Sequence, residues 1–451
     1  MANNFDEKRN SPRVNADLEL QLPKGITAES IDFSEGGLKL NSKETISSPM
    51  VSVSIKFPDK KGEFKAKAQL VWQRDTGLGD SIYGIKFVNL KDSQKKALRE
   101  ELIENQLKDL INEIKDEEAK GYILKFFSSD ILDYINEITE VTERHGEEAE
   151  YSQELEKKLE HLNNKILLKG YCLELLLTDK AILQKVKENF RDLVGVWVYK
   201  SAIVKRAFEK PIGYPEDYRM LELIYENSPV SKNIGLYFDN IFLKSPYSVS
   251  IRNRKNHLAR KIIGFINNSQ LNSLNILSVC SGTGHEIADA LPLLKPHKKV
   301  KFTFVETDEK ALDFSRNLLS QKMEENIRFD FKHEAVFRIL EADRLINKYD
   351  KQNLIYTLGI IDYLSDRAAK RIIKVLYSSL EKGGKLILTH RDRDKTFPPI
   401  PPDWLCDWKV IARNQEEMSK LFYEVGISNF SLSTESDNFG YIHYFTLTKN
   451  E

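Results

Sequence analysis

At 451 residues, 41% hydrophobic and 10% aromatic, the chain is long and apolar enough to fold into two or three globular domains. Lys plus Arg and Asp plus Glu each total 68, so no global field draws it to nucleic acid or to a membrane surface, and any anion site has to be local. Cys172, Cys280 and Cys406 lie far apart without metal-ligand spacing, which argues for a reducing compartment and against a disulfide framework.

The opening MANNFDEKRNS has no apolar core segment, and nowhere do about 18 apolar residues run together, so neither a leader nor a membrane span is expected and the chain reads as cytoplasmic. Arg9 and Arg13 stand four residues apart in a polar, proline-containing lead-in. From 14 to 90 follow short alternating runs, VSVSIKF, FKAKAQLVW and YGIKFVNL among them, divided by turns such as LPKG, FPDKKG and DTGLGD. That pattern predicts a small antiparallel β-barrel in residues 1–95. Between two of its strands, ESIDFSEGGLKL supplies Asp32, Ser34, Gly36 and Gly37. Adjacent glycines let the backbone take positive φ and approach a ligand closely, while the short polar side chains project from the turn.

Arginine forks match phosphate oxygens and the N7/O6 edge of guanine, and a carboxylate accepts from guanine's ring N–H and amino group. Two arginines ahead of a barrel with an acidic turn therefore describe a clamp for a small, doubly charged, guanine-containing ligand. With LVWQRD and YGIKF in later strands, the R-x-x-x-R and D-x-S-x-x-G motifs resemble the PilZ family from about residue 6 to residue 100. The resemblance implies binding of the bacterial second messenger cyclic di-GMP. Arg9 and Arg13 would then hold phosphates and guanines, and Asp32, Ser34 and Gly37 would form the opposing turn.

Past residue 91 the period changes. Leu98, Leu102, Leu107, Leu110, Ile111 and Ile114 recur at helical spacing, and SSDILDYINEITEVTERHG and EYSQELEKKLEHLNNKILLKGYCLELLL continue the pattern. Residues 96–235 are read as a helical connector or substrate domain whose charge runs are solvated faces. In residues 236–451 the apolar runs LNILSVCS, VKFTFVET, NLIYTLGI and GGKLILTH alternate with amphipathic helices, the rhythm of a parallel, Rossmann-like α/β sheet. ISNFSLSTESDNFGYIHYFTLTKN adds a terminal antiparallel hairpin. The predicted fold class is multidomain α+β: barrel, helical middle, α/β domain.

In LNILSVCSGTGHEIADAL a strand runs into Gly282-Thr283-Gly284 and then a helix, so a cofactor can approach the backbone and meet the free N–H groups of the helix start. Glu306, at the end of the next strand and twenty-two residues after Gly284, stands where such a sheet meets ribose hydroxyls; Asp308 fits a helix cap. A dinucleotide fingerprint would need glycine or alanine at Ile287. This set resembles the class I S-adenosylmethionine-dependent methyltransferases, with Cys280, Gly282, Gly284, Glu306 and Asp308 around the cofactor. Ser278 and Cys280 replace an acidic residue and a glycine often found there.

KPIGYPEDYRMLELIYENSP, SPYSVSIRNRKNHLARKI, TLGIIDYLSDRAAKRIIKVLYSSLEKGGKLILTH and DWKVIARNQEEMSKLF are further similar to the bacterial methyltransferases that make 3-hydroxypalmitic acid methyl ester. That likeness implies methyl transfer to the carboxylate of a hydroxy fatty acid or similar apolar acid. Such an acceptor is already ionised, so positioning outweighs general base catalysis. Arg252 and Arg254 are candidates to hold the acid, and Asp362 and Tyr363 to line the substrate rim. His285 is expected at a helix start facing solvent. The alternative is a non-enzymatic cyclic di-GMP effector that uses a degenerate methyltransferase fold as a protein-interaction module.

Overall fold

The computed structural model describes residues 11–57, 63–145, 150–294, 298–322, 325–335, 348–395 and 401–450. They divide into two compact units. The first runs to Lys205 and takes in Val230–Ile241 and Trp404–Cys406; the second holds Arg206–Pro229, Phe242–Asp403 and the chain from Asp407 onward.

In the first unit, β1 (Arg13–Asn15), β2 (Glu19–Gln21), β3 (Thr27–Ser34), β4 (Gly37–Ser42), β5 (Met50–Lys56), β6 (Glu63–Asp75) and β7 (Ser81–Val88) pair antiparallel throughout. The order β3-β2-β5-β6-β7-β4 closes because β4 returns to β3, and β1 lies along β3 beyond β2. Closure leaves six strands without an open edge. Register links Val14, Phe33, Leu38 and Ile85 in one row, and all four are buried. The two-residue period then turns their neighbours Arg13, Asp32, Ser34 and Lys39 to the outer face.

Helices follow: α1 (Asp92–Glu113), α2 (Glu117–Lys125), a π-helical stretch (Phe126–Ile131), α3 (Leu132–His145), α4 (Gln153–Leu176), α5 (Lys180–Val198) and α6 (Ala202–Glu209). Asp116, Ser152 and Asp179 cap α2, α4 and α5 by accepting first-turn N–H groups. The leucines of α1 at 98, 102, 107 and 110 are buried. Not every charge on these helices is solvated: Glu101, Glu156, Lys187 and Arg191 are buried too, because the helices pack on more than one face. Trp404, fully buried, meets Phe190 and Phe126 edge-on at 5.3 and 5.8 Å. Gly170 makes room for it, since a Cβ there would stand 2.9 Å from the indole.

The second unit contains α7 (Tyr218–Glu226) and α9 (Pro246–Asn268), and α8 (Asn233–Lys244) carries the chain into it. Its sheet is built from β8 (Ser273–Val279), β9 (Lys299–Glu306), β10 (Ile327–His333), β11 (Gln352–Thr357), β12 (Leu380–Arg391), β13 (Phe430–Ser436) and β14 (Ile442–Lys449). The order is β10-β9-β8-β11-β12-β14-β13, parallel from β10 to β12, with β14 antiparallel to both neighbours. The parallel sheet with its terminal hairpin is therefore present.

Alternation divides the core between the two faces. Leu277, Ile355, Leu386 and Leu388 join α12 (Asp366–Ser378) and α13 (Gln415–Tyr423), while Ile276, Leu354, Tyr356 and Ile387 join α9, α10 (His285–Ala290) and α11 (Glu309–Ser320). Helices on both faces explain why these strands read as continuous apolar runs. Strand order reverses between β8 and β11, so the carboxyl ends of those strands and their neighbours frame a crevice suited to a ligand.

Candidate functional sites

On the barrel, Arg13 lies opposite Ser34 and donates from Nη1 to Asp32 Oδ1 at 2.5 Å. Ser34 Oγ donates to the Gly37 carbonyl at 3.2 Å, which fixes the turn between β3 and β4. Gly37 is required by packing, since a Cβ would come within 2.1 Å of the Ile85 carbonyl oxygen. Register also places Lys39, Gly84 and Trp72 in one row with Asp32. Trp72, 44% exposed, rests on bare Gly84, where a Cβ would meet the indole Nε1 at 2.2 Å. Arg13, Asp32, Ser34 and Gly37 are thus brought together, and Arg9 lies outside the described residues. Lys39 and Trp72 were not singled out from the sequence; their signal is strand alternation counted from Asp32.

In the second unit the glycine loop follows β8. Cys280, Gly282 and Gly284 all take positive φ, at 54°, 55° and 68°. A cysteine thus adopts the left-handed backbone that a glycine adopts freely. Ser315 Oγ of α11 donates to the Gly282 carbonyl at 2.8 Å. Glu306, buried at the carboxyl end of β9, accepts from Gly282 N at 2.9 Å through Oε2. Its Oε1 accepts from Thr307 N at 2.7 Å and Asp308 N at 3.2 Å. Burial pushes its carboxyl above the ordinary value while these N–H groups pull it back. Burial, and then Glu306, raise the Cys280 thiol well above its usual range. Asp308 caps α11 through Oδ1 to Lys310 N at 2.9 Å.

These residues fit a nucleoside. Ser281 Oγ and Asp308 Oδ2 are buried without partners, and the backbone beside them is free of Cβ at Gly282 and Gly284. His285 is half-buried rather than solvent-facing: it stacks on Phe314 at 5.8 Å and approaches Tyr225 at 5.3 Å, because α7 and α11 cover the helix start.

At the carboxyl ends of β11 and β12 lies a buried polar cluster. Arg254 of α9, 1% exposed, pairs with Glu216, whose Oε2 accepts from Tyr363 Oη at 3.1 Å. Trp408 Nε1 donates to the same tyrosine oxygen at 2.8 Å. Gly359, at φ 82°, clears space for Arg254, since a Cβ would stand 2.3 Å from Nη1. His390 Nε2 accepts from Arg413 N at 3.0 Å, so Nδ1 carries the proton and faces Asp362 Oδ1 at 2.5 Å. Burial opposes ionisation of Asp362, but His390, Arg391 and Arg254 hold its carboxyl below the ordinary value. Arg254, Asp362 and Tyr363 therefore share one neighbourhood. Arg252 instead donates to the carbonyls of Ile224 at 3.3 Å and Leu243 at 2.8 Å. Glu216 and Arg391 join the cluster without having been expected; Arg391 directly follows the apolar run GGKLILTH, at the strand end where such sheets bind ligands.

The outer face of the barrel, with its arginine and acidic turn in register, decides the first assignment. Residues 7–104 match the family model of the PilZ domain. No curated protein matches the chain. Among solved structures, a possible exported protein from Bordetella parapertussis is 13% identical, covering 72% of this chain and 97% of its own, with a TM-score of 0.42. Magnesium protoporphyrin IX methyltransferase (ChlM) from Synechocystis PCC 6803, with bound SAM, is 12% identical, covering 45% of this chain and 83% of its own, at 0.33. The Bacillus subtilis inhibitor of motility MotI/DgrA is 18% identical, covering 22% of this chain and 52% of its own, at 0.21. Strand order, not these distant likenesses, defines the methyltransferase-like fold of the second unit; the PilZ match defines the barrel.

Proposed function

We propose that the chain is an S-adenosylmethionine-dependent methyltransferase governed by cyclic di-GMP bound to its PilZ barrel, and that it methylates the carboxylate of an apolar or hydroxy fatty acid. The observation that carries the enzymatic reading is Glu306, held at the carboxyl end of β9 by the Gly282 N–H, beside a two-glycine loop at the point where strand order reverses. Its oxygens would accept from ribose hydroxyls, and the loop would admit the rest of the nucleoside. S-adenosylmethionine supplies the methyl group when bound. The chain's own part is to orient an acceptor that is already ionised and to exclude water, work that suits the buried residues at the β11 and β12 ends.

The sensory reading rests on Arg13, Asp32 and Ser34 sharing one outer face. Arg13 is paired with Asp32 through Nη1, and a phosphate would share or compete for that guanidinium. Cys280, a side chain where a glycine is usual, favours a second reading in which the fold serves only as a protein-binding module.

Calorimetry on the full chain tests both halves. Cyclic di-GMP should bind, and Arg13→Ala should weaken it about ten- to a hundredfold, since charge-assisted hydrogen bonds contribute roughly 1.5–3 kcal/mol each. S-adenosylhomocysteine should bind independently of any acceptor. No heat with it would favour the module reading, and unchanged affinity in Arg13→Ala would remove the barrel assignment. Mass spectrometry of lipid extracts from cells with and without the gene identifies the ester.

A further inference from the structure

Arg391, the last residue of β12, is 4% exposed. Its Nε donates to Ser250 Oγ at 3.3 Å, and its guanidinium carbon stands 3.6 Å from the centre of the Tyr247 ring. Nη1 and Nη2 have no hydrogen-bond partner, and no carboxylate lies within ion-pair distance of them among the described residues. Four further polar atoms of this cluster are equally unmatched: Arg254 Nε and Nη1, the Tyr247 hydroxyl and Asp362 Oδ2. Glu216 is engaged by Arg254 and Tyr363, and Asp362 by His390 and the Arg391 backbone N–H through Oδ1 alone, its Oδ2 standing beyond ion-pair distance of the Arg391 guanidinium.

A buried guanidinium with two idle donors is costly, since buried charges are ordinarily paired and buried donors ordinarily satisfied. Stacking on Tyr247 recovers part of that cost, but a ring face accepts no N–H in the guanidinium plane. What the two Nη groups lack is a planar anion with two oxygens side by side, which is a carboxylate. The walls around it are aromatic. Tyr247 packs against Trp408 at 4.7 Å, and Tyr363, 37% exposed, stands at the solvent edge of the cluster.

We propose that Arg391 is the seat of the acceptor carboxylate, assisted by the idle donors of Arg254 and Tyr247, and that the aromatic walls take the acceptor's apolar body. The assignment rests on the methyltransferase reading above and adds to it the residue that selects a carboxylic acid over a neutral lipid. Arg254, paired with Glu216, helps to orient the anion; Arg391, whose charge Asp362 balances only from beyond ion-pair distance, supplies the two open donors. A monocarboxylate fills this arrangement, whereas an alcohol of the same length leaves both Nη groups idle.

Octanoate and octanol serve as probes, titrated calorimetrically into the full chain saturated with S-adenosylhomocysteine. The wild type should bind octanoate at least tenfold more tightly than octanol. Arg391→Met should lose that preference, with octanol unchanged. Arg391→Lys, which keeps the charge but loses the planar fork, should keep part of it, and it replaces the methionine variant if that one does not fold. Bound cyclic di-GMP and S-adenosylhomocysteine report folding and should be unaffected. Octanoate affinity within twofold of wild type in either folded variant overturns the proposal, as does a wild type that binds the two probes equally or binds neither. Loss of S-adenosylhomocysteine binding by the wild type would count against the methyltransferase reading alone, because the octanoate titration repeats without it.

Discussion

Glu35, inside the acidic turn of the barrel, is held by Arg99 of α1 through both forks: Nε to Oε2 at 2.5 Å and Nη2 to Oε1 at 2.9 Å. The third nitrogen, Nη1, donates to Asn136 Oδ1 of α3 at 2.7 Å. One guanidinium therefore ties the segment carrying Asp32, Ser34 and Gly37 to two helices of the same unit.

Both side chains of this pair are nearly buried, at 13% and 10% exposure, so removing one strands the other. Arg99→Met should cost about 3–5 kcal/mol, and Arg99→Met/Glu35→Met should recover most of it. Urea denaturation of the three proteins checks this. If the ligand acts on the helices through this link, the double variant should bind cyclic di-GMP normally, yet the ligand should no longer alter S-adenosylhomocysteine affinity. In the wild type that alteration should be about five- to 150-fold and reciprocal. Superimposable titrations with and without the second ligand, in the wild type itself, would remove coupling through the cofactor site.

Glu306 has two tasks that substitutions separate. Glu306→Ala takes away the acceptor for Gly282 N along with any ribose partner, so both thermal stability and cofactor affinity should fall. Glu306→Gln keeps one acceptor oxygen but turns its NH2 toward a backbone N–H, so stability should fall by less than in Glu306→Ala while S-adenosylhomocysteine binds roughly ten- to a hundredfold more weakly. Gly284→Val places a β-branched residue at φ 68° and should abolish binding. Calorimetry beside thermal melts distinguishes the three.

Cys280 stands at φ 54°, so Cys280→Gly should relieve backbone strain and stabilise the protein by about 0.5–1 kcal/mol, net of the added freedom of the unfolded chain. Its thiol is held protonated by burial and by Glu306. At pH 8 iodoacetamide should therefore label exposed Cys172 in the native protein and spare Cys280 and Cys406. Labelling of half-buried Cys280 at the rate of Cys172 would contradict the raised thiol.

Glu286 is buried against Tyr356, whose hydroxyl donates to Oε1 at 2.8 Å. Burial pushes its carboxyl up to about 7, although its own backbone N–H and Tyr356 pull the other way. The folded protein therefore keeps this proton to neutral pH, while the unfolded chain releases it near the ordinary glutamate value. The stability it contributes is complete in acid and is lost as pH rises through 7, on the order of 3 kcal/mol. Glu286→Gln keeps the tyrosine bond and should gain on the wild type between pH 5 and pH 8, read from urea midpoints. Parallel profiles would show that this carboxyl ionises as freely folded as unfolded.

Contiguous patterns were the legible part of the sequence. Strand alternation gave the barrel, apolar runs between amphipathic helices gave the parallel sheet, and SGTG with Glu306 marked a loop and its acid because neighbouring strands bring them together. Arg391 and Glu216 escaped notice because 175 residues separate them and no local pattern couples a strand end to the segment before α7. Arg99 and Arg191 looked like members of solvated charge runs, and only packing on a second face shows them fixed. Arg252 and Arg254 are near-equivalent by sequence. They differ because two residues along a helix rotate the side chain from the carbonyls of Ile224 and Leu243 to the carboxylate of Glu216.

Trp404 reaches the helical unit from far along the chain. Its indole sits among Phe126, Gly170 and Phe190, and Lys187 and Glu174 address its ring and its N–H. A ribosome adding roughly 5–20 residues per second needs about 10–40 s to travel from Phe190 to Trp404. Throughout that interval α4 and α5 emerge with a tryptophan-sized gap between them. The nascent helices thus have to be kept from other apolar surfaces until Trp404, more than two hundred residues beyond Phe190, has been made.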